Sequence, residues 1–433
     1  MLSLVTRFPA GSLIAGNPRF RSLWFARLLS FFGDSVGLIA LLLYTAERFG
    51  SGLAVAFLML AGDFVPSLVS PVAGAISDRF DRRLVMISCE LIQGALVAVI
   101  ALALPTLPVL LALVAVQSCV AAVFQPASRS AIQGLVADAD LERANAAIGF
   151  GTHGMDGFAP LAGAALLAWL SIRGLLLLDA GTFAAAAILL SALPVLKPHR
   201  AGGQHGDESA RPEALIGPGW RQLLADAAEG VGYLWRNKVI RIITIAFCTV
   251  VLFNAVDDVS LVFLSRDTFH GSNSAVSLVY AGAGIGLLAG FLLIARASQR
   301  LTVLVLILSG YAVSSLGNLL TGVSFALVAA FGFQIVRGIG LAAMDVGHDT
   351  LIQREVPPEM LSRVFGNVYG AVGASAGLSY LLGGVLLDAT SARITLIVAG
   401  AGGLAAAMLA AITLPRALAA ARNSRTAEVA PRD

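Results

Sequence analysis

Charged side chains buried in long apolar runs are the residues of this sequence that could do chemistry. Asp34, Asp63, Glu90 and Asp156 each interrupt such a run, and Arg337 does so with the opposite sign. An ionisable group near the centre of a bilayer costs at least about 2.5–3.5 kcal/mol on insertion scales, so each needs a partner or a task. Desolvation favours the neutral carboxylic acid, and a nearby cation favours the carboxylate. A site that faces first one side of a membrane and then the other can change both effects, so that a carboxyl there loads a proton on one side and releases it on the other. Asp34, midway along the first run, is the leading candidate for proton coupling. The alternative is a structural partner for Arg27, seven residues earlier on the same helical face and out of direct reach without a third group. Asp63 could instead support a bend at Pro66, and Glu90 could meet a cationic substrate. Asp156 follows His153 by three residues, a spacing that suits a proton relay or a plain hydrogen bond within one helix. Asp257 and Asp258 are expected near water at the outer end of their run, and Asp345 and Asp349 near a solvated helix end.

The elements that would hold these groups follow from composition. Of 433 residues, 58% are hydrophobic and only 13% charged, with a mean hydropathy of +0.85. A soluble domain carries about 45–50% apolar and about 25% charged residues, so a soluble enzyme is excluded and an integral membrane protein is indicated. Forty-five glycines suit membrane helices, which pack closely through small residues. Cys89, Cys119 and Cys248 lie in apolar stretches and imply no disulfide framework. The first long run contains Arg27 and Asp34 and exceeds the apolar core of a cleaved signal peptide, so it reads as a membrane helix.

Apolar stretches of about 20 residues, the length a membrane helix needs, lie near residues 22–44, 53–76, 84–104, 108–130, 145–170 and 174–195. They resume near 242–264, 275–295, 302–323, 325–347, 364–387 and 393–415. The expected fold is therefore all-α and integral to the membrane, with twelve transmembrane helices in two pseudo-symmetric six-helix bundles. Of 29 Lys and Arg residues, 23 fall in the termini and connections of one side, four on the other and two within spans. By the positive-inside rule both termini and the central connection are cytoplasmic. The expected organisation is an N-terminal bundle over 1–195, a linker over 196–241, a C-terminal bundle over 242–415 and a tail over 416–433. The linker starts as polar text at Lys197–Ser209. It then places Trp220, Leu223, Leu224, Ala227, Val231 and Leu234 at helical spacing, as in a helix lying on the inner membrane surface.

The two halves read as a duplication. Ile132-Gln133 and Ile352-Gln353 stand 220 residues apart, and the same offset matches Val136 to Val356, Leu141 to Leu361 and Arg143 to Arg363. Parallel six-helix repeats are a secondary-transporter arrangement, with the substrate site near the midplane. No Gly-x-x-x-x-Gly-Lys-Ser/Thr loop occurs, so ATP-driven pumping is not expected.

Gly74-Ala-Ile-Ser-Asp78-Arg79-Phe-Asp81-Arg82-Arg83, between spans 2 and 3, resembles the major facilitator superfamily signature motif A, Gly-x-Leu-Ala-Asp-Arg-x-Gly-Arg-Lys/Arg. Asp81 stands where that motif has its second glycine, as in the branch that includes macrolide and enterobactin exporters. Asn17-Pro-Arg-Phe-Arg-Ser-Leu-Trp24, Gln125-Pro-Ala-Ser-Arg129, Arg143-Ala-Asn145, Gln353-Arg-Glu-Val-Pro357 and Arg363-Val-Phe-Gly366 are similar to the same branch. The resemblance implies a cytoplasmic latch. Gly74 would allow close packing, Asp78 would accept hydrogen bonds at a helix N-terminus, and Arg79, Arg82 and Arg83 would tie neighbouring loops and hold one state closed. Gly157-Phe-Ala-Pro160-Leu-Ala-Gly163 in span 5 is similar to part of the antiporter motif C, whose Pro and Gly bend and pack the helix. The basic residue of motif B is absent, and Gln117 holds the middle of span 4.

The function this implies is secondary active transport: proton-coupled efflux of amphipathic small molecules or drugs by alternating access. The alternatives are an exporter of one endogenous metabolite such as a siderophore, a facilitator without proton coupling, and last a non-transporting membrane receptor. The expected partners are a small-molecule substrate, protons and the lipid bilayer of the inner (plasma) membrane. No nucleic acid, no cofactor, no metal and no catalytic residue are implied, and a monomer is expected.

Overall fold

The computed structural model describes residues 11–66, 80–137, 140–196, 229–297, 302–357 and 360–429. At helical positions that include Arg143, Asn145, His153, Asp156, Gly157, Arg363 and 420–429 it describes the backbone alone. Among the described residues the regular structure is helical throughout, and a helix occupies each of the twelve expected stretches. Span 1 is Pro18–Phe49. Span 2 is Gly52–Met59, passing into a π-helical turn at Leu60–Phe64. Spans 3 to 6 are Arg82–Ala103, Leu107–Gln133, Leu141–Leu166 and Ile172–Ser191. Span 7 comprises Lys238–Asn254 and Asp257–Phe263, ending in a π-helical turn at Leu264–Thr268. Spans 8 to 12 are Asn273–Ala297, Val303–Gly322, Leu327–Glu355, Leu361–Ala389 and Ala392–Val429.

Ten of the described helices are long and apolar enough to cross a membrane. Span 2 falls short because its described helix is brief. Span 5 has the length, but Gly149, Gly151, Thr152, His153, Gly154 and Asp156 dilute its apolar character. Side chains of several spans point outward into apolar exposure, Ile188, Leu102 and Val328 among them, as lipid-facing surfaces must. Helix starts carry the side-chain acceptors that satisfy orphan amides. Ser171 accepts from Gly174 N (3.2 Å), Asn237 from Val239 N (3.0 Å) and Thr302 from Val305 N (3.3 Å). Between spans 1 and 2 the chain turns at Gly50, whose φ of +61° a glycine adopts freely.

The helices form two compact units. One is drawn from the described residues of Met1–Tyr44 and Ala61–Leu223, the other from those of Thr45–Leu60 and Leu224–Asp433. In the first, span 3 packs on spans 4 and 6. Phe20, Leu23, Met86, Phe124, Ile132 and Leu190 form its core, with Val136 packed against it. In the second, span 10 packs on spans 8 and 9, and spans 9 and 7 pack on span 12. Here the backbones nearly touch: a β-carbon at Gly338 would stand 2.0 Å from Ala283 O, and one at Gly340 2.3 Å from Ser314 N. Ile352 and Val356 are buried with Ile240, Val364 and Leu234. The repeat partners Ile132 and Val136 thus do in the first unit what Ile352 and Val356 do in the second, which is to fix the end of a span in a core.

Of the amphipathic stretch, Trp220 to Ala227 lie outside the described residues. At its end, residues 229–236 are helical: Leu234 is covered by protein, Val231 and Trp235 are exposed, and Tyr233 Oη donates to Glu355 O at 3.2 Å. Asp81, in its glycine-replacing position, caps span 3 by accepting from Arg83 N (2.9 Å) and also from Leu196 N (3.1 Å). Within the second unit, the start of span 2 is held by a carboxylate from span 11. Asp388 accepts from Ser51 Oγ (2.7 Å), Gly52 N (2.5 Å) and Leu53 N (3.1 Å). Losing a charged cap costs about 1 kcal/mol. Asp388→Ala should therefore lower the temperature at which half of the detergent-purified protein stays monodisperse by about 2–4 °C. Asp388→Asn should lower it less, and an unchanged temperature in both would show that the cap contributes nothing.

Candidate functional site

Span 1 brings the first candidates into one cavity of the first unit. Trp24, Arg27, Phe31 and Asp34 line it, facing Gln93 of span 3, Phe124 and Gln125 of span 4 and Thr152 of span 5. Trp24 is fixed by donating from Nε1 to Ala147 O at 2.9 Å. Arg27 does not turn to Asp34. It donates to Ser128 Oγ and, at 3.4 Å, to Gln125 Oε1 on span 4, and its charged neighbours are Arg129 and Glu90. Of the two roles weighed for Asp34, a structural partner for Arg27 thus has no contact behind it.

Glu90 is fully buried on span 3, where the Ser30 hydroxyl of span 1 faces its carboxyl group. Its charged neighbours are Asp34 and Arg27. A third carboxyl belongs with them. Asp179 of span 6 is 2% exposed, lies beside Asp34 and Glu90, and leaves Oδ1 unpartnered. It follows Leu175-Leu-Leu-Leu178 and so carries the same signal that singled out Asp34, an acid within an apolar run.

Asp63 sits in the π-helical turn of span 2 with its side chain exposed. Asp156 and Gly157 lie on span 5 with side chains outside the described ones, while Pro160 and Gly163 are buried within that helix. Gly74, Asp78 and Arg79 of the motif lie outside the described residues. Its last two arginines bind backbone of their own unit: Arg82 Nη1 donates to Ser130 O (3.4 Å), and Arg83 Nη2 to Ser191 O (2.5 Å). They tie the start of span 3 to the ends of spans 4 and 6.

Arg337 is committed in the second unit. Its Nη2 stands 2.7 Å from both oxygens of Asp257, and both side chains are buried. Asp257 is therefore not water-facing as its position near the end of span 7 suggested; the break at Ala255–Val256 starts a new helical segment that turns it inward. Asp258 is half-buried beside it, accepting from Tyr380 Oη at 3.4 Å, while Tyr280 Oη donates to the Asp258 carbonyl. Asp349 accepts from Tyr369 Oη at 2.6 Å on span 11. His348, which no spacing singled out, is buried with Nε2 2.6 Å from Tyr311 Oη, Nδ1 2.7 Å from Met344 O and its ring stacked on Phe247. Both ring nitrogens are thus engaged, and His348 serves packing.

A family model for the Major Facilitator Superfamily matches residues 23–267 and 258–433. The chain belongs to the Major Facilitator Superfamily. It is thus a multi-pass membrane transporter and not an enzyme. Among major facilitator relatives, the multidrug efflux pump Tap of Mycobacterium tuberculosis is 25% identical over 391 residues, covering 86% of this chain and 88% of that protein. Macrolide efflux protein A of Streptococcus pyogenes is 21% identical over 383 residues, covering 86% and 89%. Among solved structures, the nucleoside transporter NupG shares the fold, with a TM-score of 0.72 at 15% identity over 91% of this chain and 98% of that one. The resemblance read from motif A and its companion segments therefore holds.

Removing one partner of a buried ion pair costs about 3–5 kcal/mol, because the other charge is left without compensation. Arg337→Ala should accordingly reduce the yield of folded protein severely. The double change Asp257→Asn with Arg337→Gln should recover much of it, as read by size-exclusion chromatography of a fluorescent fusion. A single change with wild-type yield would show that the pair is dispensable.

Proposed function

We propose that this major facilitator transporter exports amphipathic small molecules in exchange for protons, by alternating access. The observation that carries the reading is the cavity of the first unit, where aromatic side chains and Asp34 share a wall with Glu90 close behind. Trp24, Phe31 and Phe124 suit the apolar body of a substrate. Asp34 is the residue that binds the proton, and Glu90 the acid that a cationic substrate meets. Arg337 serves by positioning span 10 against span 7 through Asp257. Relatives named as multidrug and macrolide efflux pumps support the outward direction.

The same reading divides the chain into bundles over 1–195 and 242–415, joined by the linker over 196–241. It sets the chain in the inner membrane with both termini cytoplasmic, a topology supported by the 23 basic residues on one side. Gly74, Asp78, Arg79, Arg82 and Arg83 act as the cytoplasmic latch. Gly157, Pro160 and Gly163 shape span 5.

Everted membrane vesicles with an acidified interior test this directly. Ethidium, tetraphenylphosphonium and erythromycin are added in turn while a pH-sensitive dye reports the lumen. An exporter carries the compound into an everted vesicle as protons leave, so the dye should report alkalinisation with wild type and none with Asp34→Asn. Alkalinisation by both would remove Asp34 from the coupling step. Silence with every compound would overturn the proton-coupled efflux of drug-like molecules.

A further inference from the structure

Asp179 has a built seat. Gly33 and Gly37 of span 1 are four residues apart and share one helical face, and the Asp179 carboxylate rests on both. A β-carbon at Gly33 would press first on the Thr182 hydroxyl and then on Asp179 Oδ1 at 2.6 Å, and one at Gly37 would stand 2.2 Å from Asp179 Oδ2. Only hydrogen at these two positions lets a carboxyl group from span 6 approach the span 1 backbone in this way. Asp34 is the residue immediately after Gly33, so the seat sets Asp179 beside the proton-binding candidate. The groups that face Asp179 are Asp34 from span 1, Glu90 from span 3 and the Thr182 hydroxyl on its own helix. The nearest cation in the group is Arg27, which faces Glu90 and is already bonded to Ser128 and Gln125.

The local sum is three carboxyl groups against the Arg27 guanidinium, with Asp34 and Arg27 on the cavity wall and Glu90 and Asp179 buried. The Asp179 and Glu90 side chains are almost wholly buried. Asp179 Oδ1 has no hydrogen-bond partner among the described residues, and the Ser30 hydroxyl is the donor that faces Glu90. A structural carboxylate is normally surrounded by donors, and Asp388, which accepts from Ser51 Oγ, Gly52 N and Leu53 N, shows how this chain satisfies one. Asp179 is instead set against two more acids. Such groups cannot all carry charge at once, and their protons come off in steps that belong to the group and not to any one residue.

We infer that Asp179 is a third proton-binding residue, sharing protons with Asp34 and Glu90 as one coupled group, and that Gly33 and Gly37 are its positioning residues. The inference deepens the proton-coupled reading given above and rests on it. Uptake is a simple transfer: a proton from water forms an O–H bond on one carboxylate of the group, and release reverses it. With Asp179 present the group can hold charge in span 6 as well as in spans 1 and 3, so a proton and a cationic substrate need not compete for a single residue.

Infrared titration of the purified protein in lipid nanodiscs, in heavy water, reads the protonated carboxyl band without any transported substrate. Asp179→Asn should delete one titrating carboxyl and move the midpoint of the remaining ones by about one pH unit or more, the scale on which coupled sites depart from independent titration. Asp34→Asn and Glu90→Gln read the same coupling from the other members, and so decide the matter should Asp179→Asn not fold. If Asp179→Asn removes no titrating band, or if the midpoints are the same in every folded variant, the inference is overturned. Coupled titration together with silent everted vesicles would instead leave the carboxyl group standing and sink the efflux reading alone.

Discussion

An ion taken out of water into hydrocarbon must find compensation, and on insertion scales the deficit is at least about 2.5–3.5 kcal/mol for each group. That constraint separates the two units of this chain. In the second, Arg337 stands 2.7 Å from Asp257 in a buried pair, with Asp258 beside it accepting from Tyr380. In the first, Asp34, Glu90 and Asp179 lie together, and Arg27, the guanidinium that faces Glu90, is already bonded to Ser128 and Gln125. A paired charge holds helices in place. A surplus of acid leaves a need that a proton or a cation from outside can fill, and a transporter must have that kind of incompleteness somewhere.

Backbone packing makes both arrangements possible. Gly338 and Gly340 bring span 10 within van der Waals contact of spans 8 and 9, which fixes the helix that carries Arg337. Gly33 and Gly37 do the corresponding work for Asp179. In hydrocarbon there is no hydrophobic gain from bringing two helices together, so close contact through small residues supplies the cohesion. The same glycines therefore decide which polar groups can meet.

The span pattern was legible because the bilayer imposes a length on every crossing helix, and that length stands out in composition alone. Motif A was legible because its residue types recur at fixed spacing, and the family match over residues 23–267 and 258–433 agrees with it. Partnerships were not. Arg337 and Asp257 lie 80 residues apart, and nothing local in either run identifies the other. Asp257 looked water-facing because it lies near the end of an apolar stretch, yet a break in span 7 turns it inward. Periodicity correctly gave Leu234 an apolar face, but it cannot say whether lipid or protein covers that face. Asp179 bore the same mark as Asp34, and only the fold reveals that its seat is a pair of glycines one turn apart.

The central claim is that proton movement drives substrate movement through the first unit. Purified protein in liposomes, loaded with ethidium and given a pH gradient of either sign at zero membrane potential, tests it without the background of native membranes. The account predicts that reversing the gradient reverses the direction of net ethidium movement, each time against the direction of proton flow. Ethidium that runs only down its own gradient, whichever side is acid, would contradict it.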